Sequence, residues 1–205
     1  GVALAAQKLG ARATIVMPVT TPRIKVSAVA ARGAKVVLHG DSYYEANLHA
    51  RALERRHGFT FVHPYDDSLV IAGQGTIGLE ILADQLGQTA DVVVCPIGGG
   101  GLIGGIAAYL KQIKPQIKII GVEAATCPAM AQALQADGPV KLPRAASLAD
   151  GIAVKQVGAL NYQLVKQYVD QVVAVEEDEI ANAVLLLLEI EKIVVEGAGA
   201  TPLAA

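Results

Sequence analysis

Short apolar runs alternate along the chain with segments whose apolar residues recur every three to four positions, the arrangement of parallel strands joined by crossover helices. The pattern predicts a helix from the first residues to Gly10, a strand over 13–17, a helix capped by Thr21 with Pro22 first and Gly33 after it, and a strand over 35–38. A helix over 42–57 closed by Gly58, a short strand over 61–63 and a helix over 70–86 come next. Three glycines in that helix, Gly73, Gly75 and Gly78, each cost about 1 kcal/mol of propensity, so they imply close packing or close approach.

The run DVVVCP at 91–96 predicts a strand covered on both faces. A glycine loop leads from it into a helix stopped by Pro115, followed by a buried strand over 117–123. Further on are a helix over 129–136, a connection over 138–149, a helix over 159–168, a strand over 172–175 and a helix over 178–192. Residues 1–42 are expected to form part of a small α/β lobe and 43–205 most of a larger one, incomplete at its C-terminal end. The first residue is not Met and the last ones are an apolar run, so the expectation is an internal piece of a longer protein.

Composition narrows the function. Of 205 residues, 53% are hydrophobic, enough for a sizeable core. Seventeen basic and 19 acidic residues give a net charge of −2 without long blocks of one sign, and aromatics are 4% with no Trp. A nucleic-acid surface is therefore not expected, and a small-molecule ligand is. No apolar run reaches the roughly 18 residues of a membrane span. Cys95 and Cys127 form no C-x-x-C, which fits a cytoplasmic protein without a zinc site. The four histidines lack ligand spacing, Cys95 reads as core, and Tyr65-Asp66-Asp67 reads as a turn capping the next helix.

The strongest chemical signal is PIGGGGLIGG at 96–105. Consecutive glycines between a strand and a helix present backbone N–H groups and a helix N-terminus to one point, the makings of a phosphate cup. Two phosphates compete. Gly99, Gly101 and Gly104 also satisfy G-x-G-x-x-G, with Glu123 placed 19 residues on as a ribose-binding acid, so pattern alone leaves a nicotinamide-dinucleotide domain of an oxidoreductase nearly level.

Seven motifs together separate them. PIGGGGLIGGIA (96–107), VIAGQGTIGLEI (70–81), HPYDD (63–67), VVLHGDSYYEA (36–46), IKIIGVE (117–123), LADGIAVKQVG (148–158) and VVEGAGA (194–200) stand in the order found in threonine dehydratases (threonine ammonia-lyases) and the related serine dehydratases and racemases. The chain resembles these pyridoxal-phosphate enzymes of the tryptophan-synthase-β fold type over essentially its whole length. The resemblance implies a two-lobed, three-layer α/β/α fold with largely parallel sheets, and pyridoxal 5'-phosphate as cofactor. It also implies deamination of L-threonine to 2-oxobutanoate by β-elimination, with L-serine to pyruvate as a second reaction, in a cytoplasmic homo-oligomer (dimer or tetramer). By position, Gly98, Gly99, Gly100, Gly101 and Leu102 match the loop that holds the cofactor phosphate, while Gly151 and Glu196 match positions near the ring. For Glu196 an ordinary role at a C-terminal helix or in a local salt bridge stays open.

The family's Schiff-base lysine, in a Ser-Phe-Lys context, and its S-G-N-H loop match positions before Gly1, and its pyridine-nitrogen partner a position after Ala205. The expectation is a chain with no catalytic residue of its own, inactive alone. The divalent-cation site of serine racemases pairs the acid at Glu123 with an Asp six residues on, where Ala129 stands, so no metal is expected.

Overall fold

The computed structural model describes residues 1–205. In chain order the elements are α1 (Val2–Leu9), β1 (Thr14–Met17), α2 (Arg23–Ala30), β2 (Lys35–Leu38), α3 (Tyr43–His57), α4 (Ser68–Ala83), α5 (Gln85–Gln88), β3 (Val92–Pro96), α6 (Gly101–Ile113), β4 (Lys118–Ala124), α7 (Ala129–Gln135), a 3-10 turn (Asp150–Ile152), α8 (Ala159–Tyr168), β5 (Gln171–Val175), α9 (Glu177–Glu189) and α10 (Gly197–Ala204). All strand pairs are parallel: β1 with β2, and β3-β4-β5 in sequence order. The α/β class read from the alternating pattern is therefore the one observed.

The chain divides into two compact units, Gly1–Val62 and His63–Ala205. The boundary expected from the sequence lies at 42/43. Helix α3 belongs instead to the first unit because it packs on β1. Its limits are strongly written: Ser42 and Glu45 form a reciprocal capping box, and Gly58 closes the helix in the left-handed conformation after a basic last turn.

In the second unit the core gathers around β4, where Ile119, Val122, Glu123 and Ala124 are all buried. Gly121 on this strand makes room for Ile97 and Ile103, whose side chains occupy the space a Cβ would take. Helices α4 and α6 pack closely because glycines meet: a Cβ on Gly105 would stand 2.7 Å from the Gly75 nitrogen, and one on Gly75 would stand 3.1 Å from the Gly105 carbonyl oxygen. Gly73, by contrast, faces open space.

Several local expectations need correction. Thr21 does not cap α2: Pro22 is the N-cap residue, and its carbonyl accepts from Lys25 and Val26. Residues 61–63 form no strand. The helix expected over 70–86 is two, because Asp84 adopts an extended conformation that ends α4 and accepts from the Leu86 and Gly87 N–H groups to start α5. On β3, Val92 and Val94 are exposed while Cys95 is buried, so within this chain the strand is covered on one face and not two.

Candidate functional site

The second unit holds a cleft of about 480 Å³ at the C-terminal end of β3, where a ligand of an open parallel sheet is expected. Gly98, Gly99, Gly100, Gly101 and Leu102 line it together with Pro64, Tyr65, Gln74 and Pro96. Gly151, Ile152, Val154, Glu196, Ala198 and Gly199 complete it. The five loop positions and the two separate ones, Gly151 and Glu196, are thus brought to one place.

The glycine loop is built from its base upward. Ile97, buried, donates its N–H to the Val122 carbonyl at 2.7 Å and ties the loop to β4. Each following glycine is crowded by protein. A Cβ on Gly98 would stand 3.0 Å from the Ile152 Cα, and one on Gly99 would overlap the Tyr65 ring. One on Gly100 would stand 2.8 Å from the Asn161 Cβ, and one on Gly101 would stand 2.9 Å from the Tyr65 carbonyl oxygen. Gly100 also has φ +92°, which side-chain-bearing residues rarely adopt. The run of glycines therefore has a packing cause within the chain, and the same residues line the cleft.

Helix α6 begins at Gly101 with no side-chain cap from its N-cap residue Gly100. The N–H groups of a helix's first turn have no intrahelical partner and lie at the positive end of the helix dipole. A cleft at that point favours an anion.

At the other side of the cleft Glu196 is the N-cap residue of α10, and a Cβ on Gly151 would stand 3.4 Å from its Oε1 and 3.2 Å from the Ala198 Cβ. Gly151 thus admits the close approach of the 3-10 turn to α10.

Three residues behind the loop were not legible as functional. Tyr65 and Asp66 stand in the one turn expected from the sequence, but they do different things. His63 Nδ1 accepts from the Tyr65 and Asp66 N–H groups, the Tyr65 hydroxyl donates to the Gln156 carbonyl, and the Asp66 carboxylate accepts from Ala159 and Leu160 at the start of α8. Only Asp67 caps α4, as expected of that turn. Asn161 is fully buried and donates to the carbonyls of Tyr65 and Gly99. Its one visible signal is an amide on the apolar face of α8, beside Tyr162 and Val165.

Glu123 decides against the dinucleotide alternative. Its carboxylate is buried and accepts from the N–H groups of Met130 (2.7 Å) and Ala131 (2.8 Å) at the start of α7, so neither oxygen is offered to a ribose. Burial pushes its carboxyl up to about 7 despite those two donors. No group of three or more His, Cys, Asp or Glu side chains is arranged to hold a metal ion. Burial pushes the Cys95 thiol up to about 12, which leaves it without nucleophilic character. No helix is long and apolar enough to cross a membrane.

The chain is similar to the L-threonine ammonia-lyases of Thermotoga maritima (49% identity over 205 residues) and Geobacter sulfurreducens (50% over 205 residues). In each case all of this chain is covered, with 51% and 50% of the relative's length. It therefore spans about half the length of these relatives. Its backbone matches the processed form of threonine deaminase isoform 2 from Solanum lycopersicum with a TM-score of 0.94 at 42% identity, covering 99% of this chain and 59% of that one. Relatives of this kind leave no support for the oxidoreductase reading. The family model for pyridoxal-phosphate dependent enzymes matches residues 1–205 in full, and the chain belongs to that family.

Proposed function

We propose that this chain holds the cofactor phosphate in an enzyme that deaminates L-threonine to 2-oxobutanoate and ammonia. The observation that carries the proposal is the uncapped start of α6 opening into a cleft walled by four successive glycines. Side chains at those positions would collide with Tyr65, Ile152 or Asn161, so bare backbone is what the cleft presents.

Gly98, Gly99, Gly100, Gly101 and Leu102 would hold the phosphate through backbone N–H groups, with the α6 dipole adding to the attraction. Gly151 and Glu196 would border the ring. Pro96, Ile152 and Ala198 give the cleft part of its apolar lining. Pyridoxal phosphate supplies, when bound, an electron-withdrawing ring that stabilises negative charge at the substrate's α-carbon. The residues of this chain contribute binding and orientation.

Two measurements test the reading. Pyridoxal phosphate should bind the chain and unphosphorylated pyridoxal should not; equal binding of both would remove the phosphate cup. For the activity, residues 1–205 would replace the matching segment of the Thermotoga maritima ammonia-lyase. Formation of 2-oxobutanoate from L-threonine is expected, and a folded, cofactor-binding chimera without turnover would sink the substrate assignment.

A further inference from the structure

Asn161 departs from the usual economy of a buried amide. Its side chain is fully buried, its Nδ2 donates at 2.7 Å to the Tyr65 carbonyl and at 3.0 Å to the Gly99 carbonyl, and its Oδ1 is buried with no hydrogen-bond partner. A buried acceptor without a partner is costly, so something must offset it. Both hydrogens of one nitrogen are committed to main-chain oxygens from two different segments. Among side chains of this size, only Asn offers two donor hydrogens on a planar nitrogen without a charge.

The consequence for the loop follows from peptide geometry. The Gly99 carbonyl receives two donors from the α8 side, the Asn161 amide and the Gly158 N–H at 3.0 Å. The chain has no cis peptide bond, and in a trans peptide the C=O and the next residue's N–H point in opposite directions. Drawing the Gly99 oxygen toward α8 therefore turns the Gly100 N–H away from α8. Gly100 lines the cleft and sits at φ +92°, a conformation glycine can leave easily unless it is held.

We infer that Asn161 is the positioning residue of the glycine loop: its two amide hydrogens lock the Gly99–Gly100 peptide with the N–H of Gly100 directed to the cofactor phosphate. The inference rests on the reading of this cleft as a phosphate cup. Asn161 does not line the cleft, so its action runs through Gly99 and Gly100.

The test uses the 205-residue chain with pyridoxal phosphate and inorganic phosphate as probes. Asn161→Ala and Asn161→Asp should each weaken pyridoxal phosphate binding about tenfold or more, the loss expected for two neutral hydrogen bonds. The aspartate variant adds a pH signature that a general packing defect would not give. Its ionised carboxylate cannot donate to the two carbonyls, whereas its protonated form can donate to one, so its affinity relative to wild type should recover as pH falls. The alanine variant should show no recovery. Wild-type affinity in folded variants, or an aspartate variant whose deficit is independent of pH, would overturn the assignment.

Nuclear magnetic resonance of the unaltered chain gives a second route, whether or not the variants fold. The Asn161 side-chain amide protons should be protected from solvent exchange before any probe is added, and the Gly100 amide should shift on adding either probe. Rapid exchange of the Asn161 amide would overturn the inference. If wild type binds neither probe, the cup reading falls and the inference with it; binding by wild type with an unmoved Gly100 amide removes the inference alone.

Discussion

The ring of Tyr65 fills the space that a side chain on Gly99 would need. The two residues are 34 positions apart, and their fit explains one glycine of the loop without reference to any ligand. Gly99→Ala should destabilise the chain by about 1–3 kcal/mol, the usual range for forcing volume into a packed site. Tyr65→Ala in the same chain should recover part of that loss. Urea denaturation of both single variants and the double variant measures the coupling, and strict additivity would show that the ring does not exclude the side chain.

The Asp66 carboxylate holds the first N–H groups of α8, with Ala159 and Leu160 each at 3.0 Å. Asp66→Ala should cost about 0.5–2 kcal/mol as the loss of a helix N-cap. The urea midpoint should fall with no change in slope. An unchanged midpoint would leave α8 without need of this cap.

Glycines of two packed helices should respond with opposite signs. Gly73 lies in α4 with open space beside it, so Gly73→Ala should raise stability by about 0.5–1 kcal/mol through helix propensity. Gly105 lies in α6, where a Cβ would overlap the Ile71 carbonyl oxygen, so Gly105→Ala should lower stability. Thermal unfolding of the two variants side by side checks the contrast. A melting temperature raised by both would contradict the observed closeness of α4 and α6.

Glu123 predicts a pH dependence of stability. Its carboxyl titrates near 7 in the folded chain against an ordinary value of 4.5, because burial outweighs its two backbone donors. Between those values the folded state retains a proton that the unfolded state has released. Stability from this residue is therefore greatest below the ordinary value and falls as pH rises toward 7, by up to about 1.4 kcal/mol per pH unit. Glu123→Gln should remove that slope. Unfolding free energies between pH 4.5 and 8 decide it, and identical profiles for both chains would contradict the titration.

No lysine lines the cleft. Lys111 pairs with Asp170, Lys114 donates to the carbonyls of Gln88 and Ala90, and Lys166 pairs with Asp137. Borohydride reduction of the chain with pyridoxal phosphate should therefore give no single stoichiometric lysine adduct. Peptide mapping that found one site fully labelled would place a reactive lysine where none is expected.

What could be read from the amino acids alone was what depends on near neighbours in the chain. Gly10 and Gly58 after their helices and the parallel strand pattern rest on local sterics and periodicity. The order of seven motifs points to the loop at 98–102 and to Gly151 and Glu196 as one set, but through resemblance, since spacing alone leaves a dinucleotide site nearly as open. Tertiary structure decided the rest. It gave Glu123 to the start of α7, assigned α3 to the first unit through its packing on β1, and set Asp66 apart from Asp67 by handing it a helix that starts 93 positions away. It alone joined Asn161 to Gly99, 62 positions earlier. Such pairs leave no periodic trace because their partners meet only when the sheet and its helices close. A glycine excluded by a neighbour's ring looks, in the sequence, like a glycine kept free for a ligand.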